Sequence, residues 1–135
     1  MSPPKWIKLQ LCKLAAKAPS GPLWVHEIKF DGYRIAARIA QGAVQLLTRS
    51  ALDWTVKYPA TAAALAKLNV KSAYLDGDLC GVRPDGVTSF ELMQQASDRG
   101  GAGLFYFVFD LLEARRRRPR RRRLWPSRGH HDLPA

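Results

Sequence analysis

The sequence predicts an α+β domain rich in antiparallel strands, followed by a disordered basic tail. Residues 33–39 and 43–48 alternate apolar and polar side chains, and Gln41-Gly42 between them is typical of a tight turn. Of the 135 residues, 47% are hydrophobic, which is enough for the core of one small domain. Helices are expected between the strands.

A further strand is expected over residues 24–30, because large apolar side chains alternate there with Glu27 and Lys29. Lys29 would then face a polar cleft. Asp31-Gly32 follows directly and is typical of a hairpin turn, so Arg34 on the returning strand should lie near Lys29. Residues 24–30, 33–39 and 43–48 would together form an antiparallel meander.

The middle of the chain predicts a helix and then another strand. Pro59 suits the first turn of an alanine-rich helix that runs to Leu68, with Leu65 and Leu68 in one buried stripe. Residues 72–82 return to strand character, and Pro84-Asp85-Gly86 after them forms a turn.

Thr88 and Glu91 form a capping box that predicts a short helix through Gln95. Residues 100–103 are a glycine-rich connection without the Gly-Lys-Ser/Thr ending of a phosphate loop. Residues 104–112 are almost continuously apolar and predict a buried strand. Residues 6–17 could form a helix, unless a resemblance to a known family, given below, implies an extended lead-in there.

Composition and charge limit the functions that are possible. No run of eighteen apolar residues and no signal-type start occurs, so no membrane association is expected. Cys12 and Cys80 lack both metal-ligand spacing and a disulfide framework. Residues 1–112 hold 13 basic against 9 acidic residues, a net charge of +4, whereas residues 113–135 hold 9 arginines against 2 acids, a net charge of +7. This tail is expected to be disordered and to attract nucleic-acid phosphates.

One run of eight residues carries most of the chemical information, Glu27-Ile28-Lys29-Phe30-Asp31-Gly32-Tyr33-Arg34. A lysine amine has an ordinary pKa of about 10.4 and attacks only when it is unprotonated. The neighbouring carboxylates would raise that pKa, so the arrangement suits a nucleophile only if a cation, such as a nucleotide-bound metal, offsets them. The alternative is a solvated surface hairpin.

These residues match the Glu-x-Lys-x-Asp-Gly-x-Arg signature of covalent nucleotidyltransferases, and residues 24–34 resemble the adenylation domain of bacterial ATP-dependent DNA ligases of the end-joining type. Later segments are similar to further motifs of this family in the same order. They are Leu46-Leu47-Thr48-Arg49-Ser50 with Asp53-Trp54, Tyr74-Leu75-Asp76-Gly77-Asp78-Leu79, and Phe107-Val108-Phe109-Asp110-Leu111-Leu112.

The resemblance implies an ATP-grasp-like nucleotidyltransferase fold, with ATP and Mg²⁺ as cofactors. Lys29 would attack the α-phosphate of ATP and hold AMP through a phosphoramide bond. Glu27 would contact the adenine, Asp31 would help to hold the lysine, and Arg34 would contact the ribose and the DNA end.

The later motifs imply further site residues. Arg49 would approach the ribose or a DNA phosphate, and its alternative is a surface salt bridge with Asp53. Asp78 stands where the family has a glutamate for the ribose or the metal, and it is one methylene shorter. Phe109 would stack on the adenine, although Phe105, Phe107 and Phe109 could all be core residues.

The resemblance covers residues 19–112, after a lead-in of residues 1–18 and before the tail of residues 113–135. No Glu-Gly dipeptide and no lysine after Lys71 are present, so an incomplete, truncated adenylation domain is expected, weakly active or inactive. The missing partners would be the C-terminal adenylation-domain elements and an OB-fold. Without them, the sheet would expose an apolar edge.

The expected function is ATP-dependent DNA ligation in repair and recombination, on nicked or broken double-stranded DNA, in the bacterial cytoplasm at the nucleoid. One alternative is an RNA ligase or capping enzyme. Another is a basic nucleic-acid-binding remnant without catalysis. The tail itself is either a DNA-binding arm or a translated frameshift without a role.

Overall fold

The computed structural model of the chain describes residues 2–116, which form a five-stranded sheet and two helices. The elements are, in order, β1 (Tyr33–Ala40), β2 (Ala43–Thr48), α1 (Pro59–Ala66), β3 (Val70–Val82), β4 (Thr88–Ser89), α2 (Phe90–Ser97) and β5 (Phe105–Arg116).

The long strand β3 is the centre of the sheet. It pairs antiparallel with β1 on one side and with β5 on the other, and β2 continues the sheet beyond β1. The short strand β4 pairs with the end of β3, at Gly81 and Val82. The register places Asp78 of β3 opposite Arg34 of β1 and Phe107 of β5.

One face of the sheet packs against the helices and forms the main core. Side chains at odd positions of β1 and β3 meet buried side chains from α1, α2 and the segment before α1. The buried members of this core are Ile35, Ala37, Ile39, Leu46, Tyr58, Leu65, Ala73, Leu75, Leu79 and Met93.

The lead-in covers part of the opposite face. Leu9 packs with Ala36, Leu47 and Tyr74 in a second, smaller core. The backbone N–H of Ile7 donates a hydrogen bond of 2.9 Å to the Tyr74 hydroxyl. This region is irregular, so of the two alternatives for residues 6–17 the structure has the lead-in and not the helix.

The predicted hairpin of β1 and β2 is confirmed. β2 has the predicted bounds, and the turn between the strands is made by Gln41 and Gly42, with φ values of +50° and +86°. Positive φ at both central residues matches the twist of a two-residue hairpin. Pro59 begins α1 as predicted, but α1 ends at Ala66, and Leu68 is 46% exposed.

The strand predicted over residues 24–30 is wrong, and so is the hairpin at Asp31-Gly32. Residues 24–31 form no strand, and Val25 and Ile28 are 86% and 82% exposed. The first strand begins at Tyr33 instead. Gly32 serves for close packing, because a Cβ there would overlap the Leu79 carbonyl oxygen and the Cys80 sulfur.

The predicted capping box of Thr88 and Glu91 is wrong, because the N-cap is one residue further on. Ser89 is the N-cap of α2, where its hydroxyl accepts a hydrogen bond of 3.4 Å from the backbone N–H of Leu92. The Thr88 hydroxyl instead accepts from the backbone N–H of Asp31 at 2.9 Å. The helix also continues to Ser97, two residues beyond the predicted end.

The last strand is present but is not buried as predicted. Phe105, Phe109 and Leu111 of β5 are 56%, 47% and 56% exposed. Within residues 2–116, β5 pairs with β3 alone, which leaves its outer edge and part of one face in solvent. The strand includes residues 113–116, for which the prediction of a disordered tail is wrong, and residues 117–135 lie outside the described part of the chain.

Both cysteines are free thiols, with Cys12 exposed and Cys80 buried. Neither α1 nor α2 is long and apolar enough to cross a membrane.

The unequal burial of two leucines gives a test of this fold. Leu79 is fully buried and Leu111 is 56% exposed. We expect Leu79→Ala to lower the free energy of unfolding by about 2–5 kcal/mol, because it leaves a cavity in the core. Leu111→Ala, the same chemical change, should alter it by about 0.5 kcal/mol or less. Urea unfolding measures both, and equal losses would contradict the described packing.

Candidate active site

The sheet face opposite the helices brings together three of the predicted site residues, Arg34, Asp78 and Phe109. Successive side chains of a strand point to opposite faces, so Asp76 and Asp78 of β3 share this face with Arg34 of β1. From the other side, β5 contributes Phe107 and Phe109, whose rings lie against Phe30 and Arg34 respectively. The result is a polar cluster flanked by aromatic rings.

Arg34 is held firmly by this cluster. Its Nε and Nη2 donate to the two carboxylate oxygens of Asp76 at 3.1 and 2.7 Å, and its Nη1 donates to the carbonyl of Gln10 at 2.6 Å. The hydrogen bond with Asp76 raises the pKa of Arg34, against the opposing effect of burial. The guanidinium carbon also lies 5.5 Å from the ring centre of Phe109, within the range of a cation–π contact.

Asp78 is half-buried, and burial raises its pKa above the ordinary value. The positive charge of Arg34 acts in the opposite direction, the negative charge of Asp76 raises the pKa further, and Lys29 lowers it. The charge of Lys29 therefore acts on Asp78 from a different segment of the chain, as the smallest of these four effects.

Lys29 and Glu27 are exposed, on a segment without strand pairing. The chain becomes ordered against the sheet only at the next residues. The ring of Phe30 stacks on that of Phe107, with centres 4.5 Å apart and an angle of 10° between their planes. The N–H of Asp31 then bonds to Thr88. The predicted polar cleft around Lys29 is thus open to solvent within residues 2–116.

An apolar cleft is present on the other side of the sheet. It lies between α1 and β5, where Leu65, Leu75 and Tyr106 form part of its lining. It contains none of the predicted site residues.

Arg49 is exposed in the turn that follows β2, one residue beyond Thr48, which pairs with Ile35 of β1. Among the described side chains, Arg34 pairs with Asp76 and Arg83 with Asp85, whereas the alternative pair of Arg49 with Asp53 is not formed. Asp53 instead accepts hydrogen bonds from the hydroxyl and the N–H of Thr55, which lower its pKa.

Sequence reasoning missed three contributors to this site. Asp76 lies in the motif of residues 74–79 and has no predicted role, yet it is the ion-pair partner of Arg34. Its two-residue spacing from Asp78 on a strand was the available signal. The stacking of Phe30 on Phe107 and the bond from Asp31 to Thr88 depend on tertiary packing and left no local signal.

The fit of a metal ion can be judged from the donors present. No group of three or more His, Cys, Asp or Glu side chains able to hold a metal occurs among the described residues. Both oxygens of Asp76 are engaged by Arg34, which leaves Asp78 as the half-buried carboxylate of the cluster. Magnesium is commonly bound by one or two carboxylates together with substrate phosphates, and Asp78 fits that mode.

The chain matches a family model and several curated proteins. The model, described as ATP dependent DNA ligase domain, matches residues 9–123. The multifunctional non-homologous end joining protein LigD of Pseudomonas aeruginosa is 40% identical over 109 residues, which are 80% of this chain and 13% of that protein. The LigD of Mycobacterium tuberculosis, a multifunctional non-homologous end joining DNA repair protein, is 38% identical over 90 residues, 66% of this chain and 12% of that protein.

Solved structures are also similar to part of the chain. The ligase domain from M. tuberculosis LigD superimposes with a TM-score of 0.57 at 36% identity. A mycobacterial DNA ligase D complexed with ATP and MES gives a TM-score of 0.53 at 37% identity. Each match covers 67% of this chain and 30% of the solved chain. The chain thus spans less than a third of the solved chains.

The opposite pKa directions of Asp78 and Asp53 can be tested by carbon-detected NMR titration. The midpoint of Asp78 should lie above the ordinary aspartate value of about 3.9, and that of Asp53 below it. Because the folded chain holds the Asp78 proton more tightly, Asp78 destabilises the fold as pH rises through this range, whereas Asp53 stabilises it.

The variant Arg34→Met should raise the Asp78 midpoint further, because it removes a positive charge that lowers it. The Asp53 midpoint is the internal control and should not move, since its pKa depends on Thr55 and Gln45. A fall of the Asp78 midpoint in Arg34→Met would contradict the described electrostatics.

Proposed function

The chain belongs to the family of ATP-dependent DNA ligase domains, and on this basis we propose that it provides the lysine-bearing part of a ligase adenylation site. The observation that supports this most directly is the sheet face that carries Arg34, Asp78 and Phe109, to which the residue after Lys29 is joined by the stacking of Phe30 on Phe107. Residues from separate motifs of the chain are thereby brought to one sheet face.

In the proposed reaction, the unprotonated Nζ of Lys29 attacks the α-phosphorus of ATP. A nitrogen–phosphorus bond forms, the bond from the α-phosphorus to the bridging oxygen breaks, and pyrophosphate leaves with that electron pair. The proton lost from nitrogen passes to solvent, because Lys29 is exposed. Mg²⁺, when bound, neutralises charge on the phosphates, and Asp78 is the residue proposed to hold it.

The other site residues would bind and orient the nucleotide. Phe109 is 47% exposed on the site face and offers a ring on which adenine can stack. Glu27 would contact the adenine edge, and Asp31 would hold the lysine segment. Arg34 would contact the ribose, and its fixed position beside Asp76 means that little side-chain freedom is lost on binding.

The second half of the reaction would transfer AMP from Lys29 to the 5′-phosphate of nicked or broken double-stranded DNA, followed by sealing. Arg34 and Arg49 are proposed to contact the DNA, and Arg49 is exposed beyond β2 as such a contact requires. The relatives named LigD are described as end-joining and DNA repair proteins. We therefore propose a role in DNA repair and recombination, in the bacterial cytoplasm at the nucleoid.

Sealing is proposed to need protein elements beyond those described. The matched solved chains are more than three times as long as the aligned region, since only 30% of each is covered. Lys29 is exposed, and the lead-in that reaches Arg34 leaves Phe109 47% exposed, so this part of the site face has no opposing wall within residues 2–116. The C-terminal part of an adenylation domain and an OB-fold would supply that wall.

Mass spectrometry of the intact chain after incubation with ATP and magnesium tests the first step. We expect an added AMP in the wild type and none in Lys29→Ala, because the attacking amine is then absent. Lys67→Ala is the matched control, since Lys67 is also exposed but lies at the end of α1 and should leave the adduct unchanged.

Parallel incubation with GTP separates the alternatives within the superfamily. A GMP adduct in place of AMP would indicate a capping-type enzyme. Absence of any adduct on folded wild-type chain would contradict the proposed chemistry for these 135 residues.

The charge of the tail favours a second candidate function, sequence-independent nucleic-acid binding. Residues 117–135 hold 7 arginines and 1 aspartate, a net charge of +6. If the tail supplies the affinity, its deletion should weaken retention on duplex DNA roughly tenfold or more and flatten the salt dependence, because fewer counterions are released. Lys29→Ala should bind like the wild type. Equal retention with and without residues 117–135 would exclude this function for the tail.

A further inference from the structure

The short strand β4 presents neighbouring hydroxyl groups to different parts of the molecule. Ser89 Oγ accepts from the N–H of Leu92 and begins α2. Thr88 Oγ1 accepts from the N–H of Asp31 at 2.9 Å, across 57 residues of sequence. The pairing of β4 with Gly81 and Val82 fixes both hydroxyls relative to the centre of the sheet.

The Thr88 bond reaches the chain just after the lysine that carries the proposed chemistry. Residues 24–31 form no strand, so the backbone around Lys29 lacks ladder hydrogen bonds. Asp31 is two residues from Lys29, and two trans peptides span at most about 7 Å. A constraint on the Asp31 backbone therefore limits where the Lys29 amine can point.

The neighbouring contacts hold this segment in a less directional way. The stacked rings of Phe30 and Phe107 are held largely by apolar burial, which constrains the direction of the backbone less than a hydrogen bond does. Gly32 packs closely against β3 but has no side chain that could form a directional contact. A hydrogen bond weakens steeply as its angle departs from linear, so the Thr88 hydroxyl gives the segment a defined direction.

We propose that Thr88 is a positioning residue for the lysine nucleophile, a role that rests on the proposed function of Lys29. Its hydroxyl holds the Asp31 backbone, and through it the Lys29 amine, without touching the nucleotide. Threonine suits this task because branching at Cβ restricts its χ1 rotamers and so fixes the hydroxyl oxygen. The substrates that Lys29 would attack are nucleoside triphosphates, and the attack would occur at the α-phosphate.

The variant Thr88→Val tests the role, because it keeps the shape of the side chain and removes the oxygen. In ¹⁵N-labelled full-length chain, we expect the Asp31 amide to exchange with solvent roughly fivefold faster, the factor for a hydrogen bond worth about 1 kcal/mol. The heteronuclear NOE of Lys29 should fall as its backbone becomes more mobile. Thr88→Ser, which keeps a hydroxyl, should restore most of both signals.

The rate of AMP attachment gives a separate readout. At saturating ATP and magnesium, Thr88→Val should form the Lys29 adduct roughly fivefold more slowly, with the same ATP concentration at half-maximal rate. A lower maximal rate with an unchanged half-saturating ATP concentration is expected of a residue that orients the amine and does not bind the nucleotide. A raised half-saturation with an unchanged maximal rate would overturn the proposal.

Ser89→Ala is the matched control on the same strand. It removes the cap of α2 and should lower the thermal midpoint, yet it should leave the Asp31 exchange rate unchanged. Equal effects of Ser89→Ala and Thr88→Val on that amide would reduce Thr88 to a structural residue and overturn the proposal. Thr88→Ala replaces Thr88→Val if the latter does not fold.

The two proposals fail in different ways. If the wild-type chain forms no adduct, the proposed function fails, whereas the Asp31 exchange rate and the Lys29 NOE still report whether Thr88 holds the segment. If the adduct forms but Thr88→Val leaves both the exchange rate and the NOE unchanged, the positioning role fails and the function of Lys29 stands.

Discussion

The pairing of β3 on both sides is the constraint on which the rest of the structure depends. Because β1 and β5 lie along opposite edges of β3, its side chains must divide between two faces by strict alternation. Leu75 and Leu79 thereby enter the helix-covered core, while Asp76 and Asp78 face the other way. A shift of one residue in this register would bury the carboxylates among apolar side chains and expose the leucines.

The ion pair of Arg34 with Asp76 explains how a charged cluster is tolerated on a sheet. Asp76 is only 4% exposed, and an isolated carboxylate at such a depth would lose much of its hydration. The guanidinium of Arg34 replaces this hydration by donating two hydrogen bonds to Asp76. It donates another to the Gln10 carbonyl of the lead-in. The lead-in and the site are therefore joined through one side chain.

Elements defined by local sequence were predictable, and those defined by distant contacts were not. The hairpin of β1 and β2 follows from alternation and from the turn at Gln41-Gly42. Residues 24–30 alternate equally well, yet a strand also needs a neighbour with free backbone groups, and here β1 already pairs with β2 and β3. The site residues Arg34, Asp78 and Phe109 were placed together by motif, whereas Asp76 and Thr88 became visible only through their tertiary partners.

The exposure of Lys29 and that of β5 have a common physical origin. The lead-in covers the site face near Tyr74 and reaches Arg34 through Gln10, but within residues 2–116 it leaves Lys29 and Phe109 exposed. In water, charge interactions such as that of Lys29 with Asp78 are weak, and they strengthen as solvent is excluded. Arg34 and Asp76 are already fixed, so under the proposed function the exclusion of water from around the Lys29 amine would strengthen the electrostatics of the site further. Any surface or ligand that covers Phe109 and Lys29 together would perform it.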